Sequence, residues 1–490
     1  MHEFSEMDRR SFIQGLAALG VLSVTPASLL AGCQPQKSEV GAERLPQVQS
    51  CDVVIIGAGG TGMAAALTAK AEGAAKVIIL EKENTVGGNT NFSSSGMNAS
   101  ETRFQAEQGI EDSNQLFVED TYIGGKERGD MALIEHLCDN SAEAIDWLDS
   151  IGIRLDNISQ TAGTSVKRCH RPTDGSAVGK TLVPGLEKNV GQAGIDLLLG
   201  ENVTRIIKEG DKVTGVQTAS GNTYTAPAVI VATGGFGANF EMIKQYRPDL
   251  ADFVTTNMPG TQGDGMRMAA AAGAELIDMD QIQTHPTVDQ EHGSLIAEAI
   301  RGGGGILVNS EGRRFVDEMK TRDVVSAAEL EQPGKYAYVL YDQQVWDKNK
   351  DAANYDKQGL SVKADSLEEL ASKLKLDAAA LSATVAAYNE VSLSGASDEF
   401  GRTQGLAALT SAPYYACKVA PGIHHCMGGI RINIDNQALD ADGQPIAGLF
   451  AAGETTGGIH GANRLGGNAV CDIMVNGRQA GRSAAKLAKG

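Results

Sequence analysis

Cys51-Asp52-Val53-Val54-Ile55-Ile56-Gly57-Ala58-Gly59-Gly60-Thr61-Gly62, followed by Val77-Ile78-Ile79-Leu80-Glu81, is the stretch that decides the fold of this chain. A short β-rich run meets a G-x-G-x-x-G turn, an alanine-rich helix is expected from there to about Glu72, and a second strand ends on an acid. Strand, glycine turn, helix, strand and acid in this order form a dinucleotide-binding unit. The glycines Gly57, Gly59 and Gly62 allow the tight turn and close approach of a phosphate, and Glu81 is placed to accept from ribose hydroxyls. A lone G-x-G-x-x-G says little; the whole unit in register says much more.

The segment that follows argues for FAD over NAD. Gly87-Gly88-Asn89-Thr90 and then Ser93-Ser94-Ser95-Gly96-Met97-Asn98-Ala99 make a second loop of small residues, which a nicotinamide enzyme would not need. Much later, Ala228 to Ala232 reads as a buried strand running into Thr233-Gly234-Gly235, a further backbone approach to an extended cofactor. Between them, Val203 to Thr225 alternates like a hairpin, with turns at Glu209-Gly210-Asp211 and Ser220-Gly221-Asn222.

Near the C-terminal end stands a run, Gly453 to Asn468, with six glycines around Glu454 and Arg464, directly after the apolar Leu449 to Ala452. Glycine at that density lets backbone come against a flat ligand, and a fixed Arg can grip a carboxylate with two prongs. The run reads as a site, not a linker.

At 490 residues, more than one domain is expected. The formal charge of −19 argues against nucleic acid or an anionic membrane face as a partner. Asp8-Arg9-Arg10-Ser11-Phe12-Ile13 precedes an apolar run ending Leu30-Ala31-Gly32-Cys33. The arginine pair resembles a twin-arginine export signal, which carries folded proteins across the bacterial membrane, and Leu-Ala-Gly-Cys resembles a lipobox that leaves Cys33 acylated. Residues 1–32 are then a signal peptide and 33–50 a tether. The alternative is an ordinary first helix with an incidental Cys. The later cysteines, Cys51, Cys138, Cys169, Cys417, Cys426 and Cys471, form no C-x-x-C and no C-x-x-C-H, so neither a paired-thiol metal site nor c-type haem attachment is encoded. They read as buried small hydrophobes.

Between about Asp280 and His424 lie Thr284-His285-Pro286-Thr287, Glu298-Ala299-Ile300-Arg301-Gly302 and Thr321-Arg322-Asp323, with His424-His425 and Arg464 after them. A dianionic substrate needs several fixed cationic donors, and reduction of its double bond needs a hydride on one carbon and a proton on the next. Each piece has a plainer reading. His285 before Pro286 could be a turn residue, and Glu298 and Arg301 an ordinary i, i+3 helical pair. His424-His425 beside Cys426 could suggest a metal, but adjacent histidines point apart in a strand and the spacing is poor. Lys167-Arg168-Cys169-His170-Arg171 could be a solvated basic loop. Trp346 to Gln358 is expected to be a solvated surface excursion. Ser366-Leu367-Glu368-Glu369 reads as a capping box, and a further helix is expected after Asp377.

From about residue 50 onward the chain resembles the flavin subunit family of soluble fumarate reductases, the flavocytochrome c type, related to succinate dehydrogenase flavoproteins and urocanate reductases. The separations from His285 to Glu298, Arg301 to Arg322 and His424 to Arg464 match the family pattern. The resemblance implies an α/β fold: a Rossmann-like FAD-binding domain of the glutathione-reductase and succinate dehydrogenase type over 51–279 and 425–490, with an inserted, mobile α+β capping domain over 280–424. It implies that Arg464 and His424 hold one substrate carboxylate and His285 helps with the other. Arg322 gives the proton, resupplied through Glu298 and Arg301, although general chemistry would favour a histidine as the acid. Gly467, Ala469 and Val470 would lie along flavin and substrate. Asn89, Thr90, Ser94, Ser95, Gly96, Val203, Asp264, His425 and Glu454 would contact the cofactor.

In membrane-bound relatives a histidine just before the position of Thr90 links covalently to FAD. Asn89 stands there in this chain, implying non-covalent FAD. Fumarate reductases commonly carry Thr before the matching glutamate, where its hydroxyl meets the second carboxylate; this chain has Ala297. Losing one hydrogen bond to a charged group weakens binding by ~1.5–3 kcal/mol. Urocanate-type relatives usually carry Tyr in place of His285, so His favours a dicarboxylate. The implied function is reduction of fumarate or a similar unsaturated carboxylate, with urocanate, acrylate-like or itaconate-like acceptors, or a substrate-free flavin shuttle, as alternatives. Electrons would come from a separate donor such as a multihaem cytochrome or membrane redox protein.

Overall fold

The computed structural model describes residues 46–490 apart from residue 396. The export signal, the lipobox with Cys33 and most of the expected tether lie outside the described residues.

Val53–Ile56, Val77–Glu81 and Ala228–Val231 are apolar along almost their whole length and are buried. That pattern belongs to parallel strands covered on both faces. They sit in a six-stranded sheet of order Gln437–Leu439, Pro445–Ala451, Ala228–Val231, Val53–Ile56, Val77–Glu81, Asp196–Leu199. All neighbours are parallel except the antiparallel edge Gln437–Leu439. The chain leaves Val53–Ile56 towards one neighbour and returns on the other side as Ala228–Val231. The carboxyl end of the central strand is therefore a switch point, the place where such sheets bind ligands.

The helix Gly60–Ala71 follows that strand and packs against the long C-terminal helix Asn468–Lys489. Small residues make the contact: a side chain begun at Gly481 would lie 2.4 Å from the Ala65 carbonyl oxygen, and one at Gly477 2.9 Å from that of Thr61. The expected hairpin is present as Val203–Glu209 and Lys212–Thr218, continued by Thr223–Thr225 and closed by Val48–Ser50.

A second sheet is antiparallel: Ile282–Val288, Tyr414–Cys426, Ala337–Asp342, Ile306–Val308, with Ser361–Ala364 also pairing Tyr414–Cys426. It has its own apolar core, including Ile300, Leu307, Val339, Leu340 and Tyr388. Removing such side chains from water is worth ~1.5–3 kcal/mol each, which makes both sheets firm mounts for whatever projects from their ends. The strand Tyr414–Cys426 runs through position 424/425, where the sequence suggests a boundary, and carries residues of both regions. Asp377 caps the helix Ala378–Ser394 as expected. Ser366 caps Leu367–Leu374 by accepting from the Glu369 amide, while Glu369 reaches back to the Asp365 amide and not to Ser366.

Two expectations fail. Trp346 to Gln358 is not a solvated excursion: it belongs to the helices Gln343–Lys348 and Ala352–Lys357, with Ala352 and Tyr355 buried. Asp347, Lys348, Lys350 and Lys357 stay exposed, while Val345, Ala352 and Tyr355 turn inward. Lys167 to Arg171 is not a solvated loop either, since Cys169–Arg171 is a buried strand. Arg168 is fully buried between Asp112 and Asp120, 2.9 Å from each, acids too distant in sequence to be read as its partners.

Candidate active site

At the switch point the backbone itself forms the binding surface. Gly57 has φ +104°, and a Cβ there would lie 2.4 Å from the Ala232 carbonyl oxygen, so only glycine closes this turn. Gly59, Gly88 and Gly234 line the cleft beyond it. A Cβ built at Gly59 would meet nothing nearer than 3.8 Å, and at Gly88 or Gly234 nothing within 4 Å. These bare positions form a cradle that side chains would fill, which fits a long, flat cofactor. The second small-residue loop is laced to the first: the Gly87 amide donates to the Ala58 carbonyl at 2.9 Å, and the Gly60 amide to the Thr90 hydroxyl at 3.1 Å.

Glu81, Asn89, Thr90, Val203, Asp264 and Glu454 line this cleft as well. Glu81 accepts from the amides of Ala58 at 2.8 Å and Glu83 at 2.9 Å, so it fixes the turn as well as facing the cleft. Asp264 is paired with Lys82 at 2.6 Å. Asn89 donates to Asn257 at 2.6 Å and accepts from the Met258 amide at 2.9 Å. Gly62 stands off the cleft, in the first turn of the helix, where a Cβ would meet the Gly57 oxygen at 1.9 Å.

Glu454 joins the cleft to a second space, lined also by Ser94, Ser95, Gly96, His424, His425, Arg464, Gly467, Ala469, Val470 and Arg322. Arg322 in turn joins that space to a third, lined by His285, Ala297, Glu298 and Arg171. The cofactor cleft therefore adjoins, through shared lining residues, two spaces ringed by guanidinium and imidazole groups.

Strand pairing aims those groups. Gln283 lies opposite His425 and Thr284 opposite Ile423, which leaves His424 as the extra residue of a bulge. His424 meets His285 edge-on, with ring centroids 5.2 Å apart, while His425 turns to His460 at 5.5 Å. The His285 Nδ1 accepts from the Thr287 amide at 3.2 Å, which leaves the hydrogen on Nε2, a buried donor with no partner. The His424 Nδ1 is bound by the Thr256 hydroxyl at 2.7 Å. Arg322 opens the helix Arg322–Leu330; its Nε donates to Glu298 at 3.1 Å and its Nη1 to Gln283 at 3.1 Å. Gln283 then donates to Asn463 at 2.7 Å and to the Arg464 carbonyl at 2.8 Å.

Burial sets the protonation states. It drives His285 and His424 well below the ordinary imidazole range, and the Arg322 charge pushes both further down. Both rings are therefore neutral at pH 7. Burial pushes the Glu298 carboxyl up, but Arg322 and Arg301 outweigh it and hold it below the usual carboxylate range. Burial raises Glu454 to about 7, outweighing the Cys426 amide and the Arg464 charge that pull it down. Arg301 lines neither space; it stands behind Glu298 at 3.8 Å, while Arg322 is nearer at 3.1 Å. Arg171, Arg322 and Arg464 line these spaces together with the carboxyl groups of Glu298 and Glu454, and Arg301 stands behind Glu298.

Comparison with known proteins identifies the fold's relatives. The family profile described as "FAD binding domain" matches residues 52–470. The chain belongs to this FAD-binding family. Its cofactor is FAD, and the bare-backbone cradle at Gly59, Gly88 and Gly234 is built for such a group. A probable fumarate reductase of Shewanella frigidimarina is 42% identical over 90% of this chain and 76% of its own length. An NADH:fumarate oxidoreductase of Klebsiella pneumoniae is 48% identical over 92% of this chain, which spans about half (49%) of that protein. Among solved structures, the open conformation of a flavocytochrome c3 fumarate reductase superposes with TM-score 0.76 at 41% identity, over 90% of this chain and 79% of that one.

In this FAD-binding chain, then, residues scattered from Gly57 to Val470 converge on three adjoining spaces. Two of its members escape a reading of the sequence. Gln283 carries no charge and no motif, yet it ties Arg322 to the backbone of Arg464. Arg171 sits in a basic run that looks solvated but lines the chamber beside Ala297. Period-2 alternation from Ile282 to Val288 is the one signal that puts Gln283 on the face shared with His285. Among the described residues, no group of three His, Cys, Asp or Glu side chains could hold a metal ion.

Proposed function

We propose that this chain is an FAD-dependent reductase of the carbon–carbon double bond of fumarate or a similar unsaturated dicarboxylate. The observation that carries the reading is the meeting of cationic and imidazole groups beside the cofactor cleft: Arg322 borders two adjoining spaces, one lined also by Arg464 and His424 and the other by His285, and the two imidazole rings lie 5.2 Å apart. Guanidinium groups outnumber the ionised carboxylate of Glu298 here, an excess that suits an anionic substrate. FAD, when bound, supplies the hydride. Arg464 and the His424 ring hold one carboxylate, and the Nε2 hydrogen of His285 meets the other. Arg322 donates the proton to the neighbouring carbon and is recharged from Arg301 through Glu298. An arginine can serve because Glu298 stands in hydrogen-bond contact with it and takes part in the transfer.

FAD binds without a covalent link, since Asn89 has no nucleophilic atom and is held by Asn257 and Met258. The second sheet and its helices, roughly residues 280–424, form a cap that moves over the flavin. The twin-arginine and lipobox sequences support export and attachment through Cys33 to the outer face of the bacterial cytoplasmic membrane, or a periplasmic location. Electrons reach the flavin from a donor such as a cytochrome or membrane redox protein, and the enzyme acts as a terminal reductase in anaerobic respiration.

One observation favours a second acceptor. Ala297 lines the chamber where a hydroxyl would help a distal carboxylate, so urocanate or acrylate-like acids are the rival substrates, and an itaconate-like acid is an alternative dicarboxylate. A panel of these acids with reduced viologen as donor separates the readings. Turnover of fumarate is expected; activity confined to monocarboxylates would overturn the dicarboxylate assignment. An electron shuttle with no substrate would show no acid-dependent oxidation of the viologen at all.

A further inference from the structure

The basic run Lys167 to Arg171 holds two buried guanidinium groups, and the fold treats them differently. Arg168 has carboxylates on two sides, Asp112 and Asp120, each 2.9 Å away. Arg171 is only 9% exposed, yet among the described residues no Asp or Glu oxygen comes within the 4.0 Å of an ion pair. Its Nη2 donates to the Ser94 carbonyl at 3.3 Å, and its Nε is buried with no partner. Taking a charge out of water without a counter-charge is costly. The chain supplies that counter-charge to Arg168 and not to Arg171, which leaves Arg171 to an anion from outside.

Arg171 is held in place to receive one. It ends the strand Cys169–Arg171, which pairs with Met97–Asn98 on one side and Asn157–Ser159 on the other. Arg171 lies opposite Asn157, and from there the chain runs on to Ala162, whose amide donates to Glu298 at 2.9 Å. A Cβ at Gly96 would lie 2.9 Å from the Arg171 Cγ, so a glycine there leaves room for the stem of the side chain. A guanidinium mounted this way is ordered before its ligand arrives, and less freedom is lost on binding.

The space that Arg171 borders is the third one, with a volume of about 470 Å³ against about 110 Å³ for the second. Glu298 is the one carboxylate lining it among the described residues, and it is already bound by Arg322 and the Ala162 amide. Lys167 and Lys348, both exposed, line it as well. They put positive charge at this space in a chain whose formal charge is −19. Ser94, Ser95 and Arg322 border the second and third spaces alike. A dianion with one carboxylate at Arg464 and His424 and the other in the third space therefore crosses between them at Arg322.

We propose that Arg171 is a substrate-binding residue that takes the far carboxylate, together with the Nε2 hydrogen of His285, and so sets a preference for unsaturated dicarboxylates over monocarboxylates. The inference rests on the reductase reading above and names the substrate class of the same site. Ala297 offers no hydroxyl in this space, and a charged guanidinium is the stronger donor to a carboxylate.

The test uses the FAD-loaded enzyme and reduced viologen, with fumarate and its monomethyl ester, in the parent, R171M and R171K. The ester keeps the double bond and one carboxylate but lacks the second charge. R171M is expected to keep its flavin and to raise KM for fumarate roughly ten- to hundredfold. The ester, whether turned over or only competing, should bind as it does to the parent, and R171K should recover part of the loss. An equal loss for both acids, an unchanged preference in every variant that retains FAD, or a parent that takes the ester as well as the diacid would overturn the proposal. A parent that oxidises viologen in response to neither acid would instead overturn the reductase reading.

Discussion

Arg322 and Glu298 face each other across 3.1 Å, Nε to Oε2, with both side chains buried. The other carboxylate oxygen of Glu298 accepts from the Ala162 amide at 2.9 Å. Glu298 is therefore anchored on one side by backbone and on the other by the group it serves. An ordinary helical pair with Arg301 would need neither contact, and the 3.8 Å separation of that pair is the looser of the two.

Gln283 links this pair to the second guanidinium through its bond to the Arg464 carbonyl. Replacing it with leucine keeps the volume and removes both bonds, so Arg322 loses its alignment with the gripping residue. Misplacement on this scale is worth about a hundredfold in rate. Gln283→Leu is expected to lower kcat/KM by about that factor with flavin content unchanged, as measured by steady-state kinetics and the flavin absorbance of the purified protein.

Glu454 gives a pH signature in the apo-protein. Burial raises it from 4.5 to about 7, so the folded chain binds this proton more tightly than the unfolded chain. The resulting stabilisation is complete below about 4.5 and is lost as pH rises through about 7. Glu454→Gln fixes the neutral form. Thermal melts of the two apo-proteins should diverge between these limits, with the parent losing ground to the variant as pH increases, by ~3 kcal/mol at most. Parallel curves would show that Glu454 is ionised throughout.

Ala297 sits at the N-cap of the short helix that carries Glu298 and Arg301, and its amide donates to the Tyr355 hydroxyl at 2.9 Å. The amide is occupied, and the methyl group faces the chamber. Ala297→Thr should supply the missing hydroxyl and lower KM for fumarate by roughly tenfold, the low end of a hydrogen bond to a charged group at ~1.5–3 kcal/mol. KM values for fumarate and for a monocarboxylate, measured side by side, check it; the monocarboxylate should gain nothing.

What could be read from the sequence was local. The strand, glycine turn and helix from Val53 to Ala71 announce themselves because every signal lies within a few residues. The same holds for the hairpin at Val203 to Thr218 and the cap at Asp377. Arg168 and the Trp346 to Gln358 stretch were misread because their burial depends on partners far away. Asp112 and Asp120 neutralise Arg168, and the apolar side of two short helices hides Tyr355 against Ala297. Charge along the chain says nothing about a counter-charge fifty residues earlier. Gln283 illustrates the same limit at the site, being neutral and tied to Arg322 and Arg464 by folding alone.

The account turns on Arg322 as the acid. The direct measurement is viologen-driven fumarate reduction by Arg322→Ala, with bound FAD quantified in the same sample. The expected result is full flavin occupancy with turnover reduced by at least about a hundredfold. Flavin retained with parent-like turnover would contradict it.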